Sequence, residues 1–339
     1  MNFKGKFYIV SVVFSMCFSL FADQHPSVVV IGGGPAGLAT AIEAKESGAA
    51  VTLVEKRDAH TRMQWIFLID SSLKLLEKWK VSLPLMRTVD LGDGTRIGFV
   101  PIKHLEEELE KRSKELGIKK IQGEFIGFKS SHSATIAMQN REVHLPYDIL
   151  VGADGTHSRV REALSIPSKD LGTAIGTSAL IPHSTDGVET IDISPPIKKE
   201  GHFLRRMALP SASLIFTQSA RPTDKALLQK LTKECSWNKE ALALSGEKAL
   251  ILYDIEIHLQ QATTFSDVNR SAILVGDAAA TASFFQGQGA NTALTTAELA
   301  GHFFRQLHGK DQAAYPTFNQ SMKRATDDLI NDSLFLFNP

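Results

Sequence analysis

Gly32, Gly34 and Gly37 stand in the run VVVIGGGPAGLATA, with Pro35 and Ala36 between the second and third. An apolar, β-branched stretch precedes them and an alanine-rich, helix-compatible stretch follows. At this spacing the first glycine permits a tight turn out of a strand. The second lets the backbone approach a pyrophosphate, and the third lets helix and strand pack closely. Unpaired N–H groups and the dipole at the helix start favour an anion there. Glu55 and Lys56 close the next apolar run, VTLVEKR. A carboxylate at that point accepts hydrogen bonds from a ribose diol and repels a ribose 2′-phosphate. A glycine-rich turn can also simply join a strand to a helix, but the β-turn-α-β setting favours a dinucleotide, FAD or NAD rather than NADP.

Two later stretches repeat the theme of a carboxylate just past a strand. YDILVGADGTHSRVRE holds Gly152, Asp154, Gly155, Ser158 and Arg159. AILVGDAAATASFFQGQGANTALTTAELA holds Gly276, Asp277, Gly287, Gln288, Gly289, Ala290 and Asn291. With the first glycine turn, and in this order, they resemble the three motifs of the p-hydroxybenzoate hydroxylase superfamily of single-component FAD monooxygenases. The resemblance runs from Val28 to about Ser333. It implies FAD as the cofactor, Asp277 as acceptor for the ribityl hydroxyls, and Asp154 beside FAD and the path of the nicotinamide. N–H groups of the Gly287, Gln288, Gly289 turn would then face the flavin N1 and C2 carbonyl, where reduction places negative charge, and Asn291 would add a donor. Capping a turn is the structural alternative for Asp277, and a surface helix cap is that for Asn291.

The stretches EKRDAHTRMQWIFLID and VPIKHLEEEL are similar to the MICAL group of that superfamily. The similarity implies an FAD contact for Arg62. Lys103 stands where an Arg is usual; it keeps the charge, loses the bidentate fork, and could equally cap a solvated helix. Arg159 is expected as a charge partner near Asp154 and Arg161 in solvent. The chain also departs from the superfamily, with Ala280, Ser283 and Phe284 where a His and prolines are usual. One of Phe284 and Phe285 is expected to supply an apolar wall beside the flavin, with packing in the core as the alternative. His157, His183, His202 and His258 are candidate bases, and none is assigned, because a lone His is more often structural.

These residues need a scaffold, and the hydrophobic pattern supplies an α/β one: a Rossmann-type, discontinuous FAD-binding domain with a smaller, mainly β substrate domain. Strands are expected at Val28 to Ile31, Val51 to Val54, Ile121 to Phe128, Ala134 to Met138, Tyr147 to Val151 and Ala272 to Val275. Helices are expected at Ser71 to Lys80, where Leu73, Leu75, Leu76 and Trp79 form a stripe, and at Lys103 to Leu116. Further helices are expected near Ala290 to His308 and Pro316 to Leu334. The section around Pro84 and Gly92 to Gly94 reads as an excursion from the sheet. Domain bounds follow: FAD-binding over 27–171 and 265–312, a β-rich substrate domain with one helix, near Thr223 to Cys235, over 172–264, and a C-terminal helix over 313–339.

Lys+Arg and Asp+Glu each total 37, so no net field draws the chain to nucleic acid. Two cysteines, Cys17 and Cys235, build neither a disulfide framework nor the paired thiol of a dithiol flavoenzyme. No metal is expected, since neither a His/Glu zinc pattern nor a nucleophile elbow occurs. Residues 1–22, with Lys4 and Lys6 ahead of the apolar run Phe7 to Phe21, read as a signal peptide or membrane anchor. The chain is then exported or membrane-associated, and otherwise cytoplasmic.

The expected function is that of an FAD-dependent monooxygenase. NADH or NADPH reduces the flavin transiently, dioxygen adds to give a C4a-hydroperoxide, and a small organic substrate is hydroxylated or oxidised. A reductase or dehydrogenase acting on a lipid or quinone is one alternative. A non-catalytic flavin-binding protein is the other.

Overall fold

The computed structural model describes residues 25–62, 64–84, 86–90, 93–182, 192–209, 212–284, 287–307 and 312–337. The expected signal or anchor segment therefore lies outside the described residues, as do His183 and Phe285. Among the described residues no helix is long and apolar enough to cross a membrane.

The chain opens with β1 (Ser27–Ile31), α1 (Pro35–Glu46), β2 (Ala50–Glu55), β3 (Trp65–Leu68), α2 (Asp70–Lys78), β4 (Arg87–Asp90), β5 (Arg96–Pro101) and α3 (Ile102–Glu115). It continues with β6 (Lys119–Gln122), β7 (Glu124–Ser130), β8 (Ser133–Ala137), β9 (Glu142–Pro146), β10 (Ile149–Gly152), α4 (Arg159–Ala163) and the long β11 (Ser168–Pro182). Then come β12 (Asp192–Ile193), β13 (Ile197–Lys199), β14 (His202–Leu209), β15 (Ala212–Ser219), α5 (Lys225–Glu234), α6 (Asn238–Leu244) and β16 (Leu250–Ala262). The last elements are β17 (Ser266–Asp267), β18 (Ala272–Leu274), β19 (Ala280–Thr281), α7 (Gln288–Leu307) and α8 (Ala314–Leu334).

One sheet runs β17-β18-β10-β1-β2-β6. Its strands pair in parallel apart from β17 against β18. Both faces are covered, which explains why β1 and β10 read as unbroken apolar runs rather than as alternating ones. Val28, Val30, Leu53, Leu150, Ile273 and Leu274 are buried within it. Helices α1 and α7 lie together against this sheet, with Leu38, Ile42, Leu294, Ala297 and Phe303 in the same core.

A second, antiparallel sheet runs β12-β14-β15-β11-β16-β19, with β13 on β14. It begins at Ser168 and takes back Ala280–Thr281, so it extends beyond the expected 172–264 at both ends. The Gly276 to Thr281 segment therefore leaves the parallel sheet at β18 and joins the antiparallel one at β19. This crossing is what brings the two sheets to a common site.

Two elements differ from expectation. The single strand expected at Ile121 to Phe128 is two strands in two sheets. Gly123 donates its N–H to Glu55 O at 2.9 Å, and β7 then turns away to pair with β8. The helix expected near Thr223 to Cys235 is α5, and a second, unexpected helix, α6, follows it. Ser236 turns the chain between them at φ +63° without a glycine to announce the break.

Candidate functional site: a dinucleotide cavity between two sheets

The glycine turn does two separable jobs. A Cβ on Gly32 would lie 2.2 Å from Ala153 O, and one on Gly37 would lie 1.8 Å from Gly32 O. These two glycines therefore let β1, β10 and α1 approach one another. Gly34 is different, since a Cβ there would meet only Arg62 Nη2, at 3.6 Å. It borders open space, at the N-cap of a helix with no side-chain cap, no acidic residue in its first turn, and Pro35 at its start. That is an anion cradle with a guanidinium over it.

The open space is a cavity of about 590 Å³. One end is formed by Gly32, Gly34, Pro35, Ala36, Glu55, Lys56 and Arg62; Asp154, Asp277, Gly287, Gly289 and Ala290 continue the wall. Those twelve were singled out in the sequence, and the fold brings them together. Five others lie off the cavity wall. Gly37 packs beneath the turn. Gly276 faces Ala36 and holds its N–H to Thr296 Oγ1 at 3.0 Å. Gln288 begins α7. Lys103 is on the outer surface of α3, paired with Glu107 at 3.6 Å. Asn291 is buried with protein partners on both ends of its amide. Its Oδ1 accepts from Ile69 N–H at 3.0 Å and Ser72 Oγ at 2.7 Å, and its Nδ2 donates to Phe67 O and Gly287 O. Asn291 therefore clamps the β3-α2 junction to the start of α7.

Glu55 is buried, and its carboxylate accepts from Gly33 N–H at 2.5 Å, Arg57 N–H at 2.8 Å and Arg57 Nε at 3.0 Å. Burial pushes its carboxyl upward, but these bonds outweigh it and hold it below the usual range. An ionised carboxylate has about four acceptor positions, so roughly one is left for a ligand hydroxyl. Arg62 donates to Glu106, which is fully buried, and His60 lies between Glu106 at 3.5 Å and Glu110 at 2.7 Å. Glu110 is lowered to about 2, because Lys114, Lys120 and His60 outweigh its burial. This relay anchors Arg62 from behind.

Asp154 accepts from Ser158 Oγ at 2.5 Å and Val160 N–H at 3.1 Å, yet burial still raises its carboxyl. The expected arginine pairing differs here. Arg159 pairs with Glu124 at 3.3 Å instead. Arg161, expected in solvent, is half-buried and donates to Ala278 O at 2.8 Å and Thr156 O at 3.0 Å. A guanidinium satisfies two backbone carbonyls that the crossing segment and the Asp-Gly loop leave without ladder partners.

Asp277 is the most informative residue. Its side chain is open to the cavity interior while Gly276 and Ala278 on either side are buried. Protein around the cavity withdraws it from bulk water and pushes its carboxyl up, against the opposing pull of Arg62. No donor among the described residues reaches it. A desolvated carboxylate aimed into a cavity fits a hydroxyl-bearing ligand.

Beyond Asp277 the wall becomes apolar. Trp65, Ile66 and Phe67 come from β3, and Met207, Phe216 and Ile255 from the antiparallel sheet, with Arg205 and Ser178 as polar exceptions. Phe284 lines this end and packs against Phe216 at 5.8 Å between ring centroids, so it forms part of the cavity's apolar wall. No motif marks the residues from β14 and β15; alternation along those strands signals only which of them face inward. His157 lines the cavity, while His202 is buried on β14 away from it.

Known proteins share both parts of this architecture. Residues 26–186 match the family described as pyridine nucleotide-disulphide oxidoreductase. The FAD-dependent monooxygenase OpS4 of Beauveria bassiana is 27% identical over 175 residues, 43% of this chain and 40% of that protein. The [F-actin]-monooxygenase Mical of Drosophila melanogaster is 33% identical over 140 residues, 38% of this chain and 3% of Mical. The chain thus spans well under half the length of these relatives. Among solved structures, the Diels-Alderase PyrE3 superposes with a TM-score of 0.73 at 19% identity, covering 92% of this chain and 73% of PyrE3. The oxygenase for 2-methyl-3-hydroxypyridine-5-carboxylic acid gives 0.70 at 20% identity, covering 90% of this chain and 88% of its own. Over roughly its first half the chain is thus similar in sequence to a dinucleotide-type oxidoreductase family and to proteins named as FAD-dependent monooxygenases, and over nearly its whole length it shares the fold of these solved structures.

Proposed function

We propose that the chain is an FAD-dependent monooxygenase acting on a small organic substrate. One observation carries this reading: a single cavity runs from the phosphate-type turn at Gly34, past Asp277, to an apolar chamber under the antiparallel sheet. The α1 N-terminus and Arg62 would hold the pyrophosphate, Glu55 the ribose diol, and Asp277 the ribityl hydroxyls. The N-terminal turn of α7, at Gly287 to Ala290, would stabilise negative charge on the isoalloxazine edge with donors already in place. Bound FAD would supply hydride acceptance from NADH or NADPH and activation of dioxygen. Phe67, Met207, Phe216 and Phe284 would exclude water from that chemistry and present the substrate's apolar surface to it.

The relatives named as monooxygenases support this reading. The match to the disulphide oxidoreductases extends to the dinucleotide fold, and this sequence holds no Cys-x-x-Cys pair of the kind that passes electrons as a dithiol. The test is incubation of the FAD-loaded protein with NADH or NADPH, oxygen-18 gas and a panel of organic compounds. Product carrying one heavy oxygen atom is expected. Substrate-dependent flavin reduction without oxygen incorporation would show a dehydrogenase instead.

A further inference from the structure

His157 follows the Asp-Gly loop of the FAD-side lobe, and Glu256 and His258 lie on β16 of the antiparallel sheet. His157 precedes Glu256 by 99 residues and His258 by 101, so no spacing motif announces the trio. We propose that they form a binding site for one divalent transition-metal ion of the zinc and copper type, at the seam between the two lobes.

The geometry is direct. One ligand atom from each of the three lies within 4.8 Å of those of the other two. His157 and His258 stand edge-on, with ring centroids 5.4 Å apart and planes at 81°. Glu256 and His258 are two residues apart on a strand, so their side chains share a face, while Ile257 between them is buried on the opposite face. His258 Nε2 is 3.6 Å from the Glu256 carboxylate, beyond a hydrogen bond, and is a buried nitrogen without a hydrogen-bond partner among the described residues.

The backbone behind each ligand is fixed. Glu256 and His258 pair with Ile175 and Thr173 in unbroken register. Thr281 Oγ1 donates to His258 O at 2.9 Å. Thr156, next to His157, accepts through its carbonyl from Gln260 Nε2 at 2.9 Å and from Arg161 at 3.0 Å. A loop and a strand from different sheets are thus held in one relative position, as a metal site requires.

The donor set decides the kind of ion. Two imidazoles and one carboxylate suit zinc, copper or nickel, whereas calcium and magnesium demand mostly oxygen. Bonds of about 2.0–2.2 Å to a tetrahedral ion put ligand atoms roughly 3.4 Å apart. Glu256 and His258, at 3.6 Å, are already near that spacing, and the wider separations, none above 4.8 Å, must close by up to about 1.4 Å, which the exposed His157 and Glu256 side chains are free to do. Three protein ligands leave a fourth position open, and His157 borders the cavity.

The experiment uses the full-length, FAD-loaded protein dialysed against zinc, with magnesium and calcium as controls, and reads bound metal and the thermal midpoint. One zinc per chain and a raised midpoint are expected, with no effect of the control ions. His258→Ala, His157→Ala and Glu256→Gln should each weaken zinc binding at least about tenfold. FAD content should stay unchanged in Glu256→Gln and His258→Ala. If His258→Ala fails to fold, Glu256→Gln, at an exposed side chain, still decides the matter. Zinc retained equally by the native protein and these variants, or not retained by the native protein, overturns the proposal.

Discussion

Asp277 presents to the cavity a carboxylate that no donor among the described residues reaches. Its surface is open to the cavity, but the surrounding walls withdraw it from bulk water and push its carboxyl up in the folded state, so the folded chain takes up a proton more readily than the unfolded one. The penalty is full above the raised value and fades as pH falls towards the ordinary carboxylate range. Asp277→Asn should therefore raise the thermal midpoint of FAD-free protein at neutral pH, with the gain shrinking in acid. The same change should weaken FAD by about 10- to 100-fold, the usual worth of one or two hydrogen bonds to a charged group. Differential scanning with FAD titration reads both, and unchanged FAD affinity would remove Asp277 from the site. The glycines separate in the same way. Gly37→Ala puts a methyl 1.8 Å from Gly32 O and should cost about 3 kcal/mol or more in a urea melt. A Cβ on Gly289 meets nothing within 4 Å, so Gly289→Ala should leave stability within ~1 kcal/mol and lower FAD affinity instead. Residues set by motif, such as Glu55 and Asp277, were legible in the sequence. Arg161 and Asn291 were not, because their roles depend on which carbonyls the folded chain leaves unpaired.

At the scale of elements, three helices are tied by one buried carboxylate. Glu43 on α1 accepts from Lys78 on α2 at 2.6 Å, from Trp79 Nε1 at 2.7 Å and from Arg305 on α7 at 2.9 Å. Burial pushes its carboxyl up, but the bonds from Lys78, Arg305 and Trp79 outweigh that and hold it low. The stability it supplies is present above the ordinary carboxylate range and is lost as pH falls through its lowered value. Glu43→Ala should cost about 1–3 kcal/mol at pH 7, mainly because it leaves the buried Trp79 indole N–H unpaired, while Lys78 keeps Glu298 and both cations reach solvent. Its effect should shrink in acid, as equilibrium melts of both proteins across pH would show; an effect constant with pH would contradict the assignment. Hydrophobic period placed α1, α2, α3, α7 and α8 within a few residues, and β1, β2, β10 and β18 likewise. It missed the break at Gly123 and the α5-α6 turn at Ser236. The first depends on pairing with strands distant in sequence, and the second uses a left-handed non-glycine residue.

Across the whole molecule, the dinucleotide half could be read from three short motifs, whereas the chamber wall could not. Arg205, Met207 and Phe216 come from β14 and β15, whose register against β11 is set by tertiary pairing. If the cavity holds FAD and the unfolded chain does not, FAD at a hundredfold excess over its dissociation constant should add about 2.7 kcal/mol of stability. That corresponds to a rise of at least a few degrees in thermal midpoint, which Asp277→Ala should cut to about half or less at the same FAD concentration. The central claim is that the cavity between the two sheets is an FAD site. Its most direct test is the visible spectrum of the purified protein, with mass identification of whatever cofactor denaturation releases. A flavin spectrum and one FAD per chain are predicted; a colourless protein that takes up no added FAD would contradict the account.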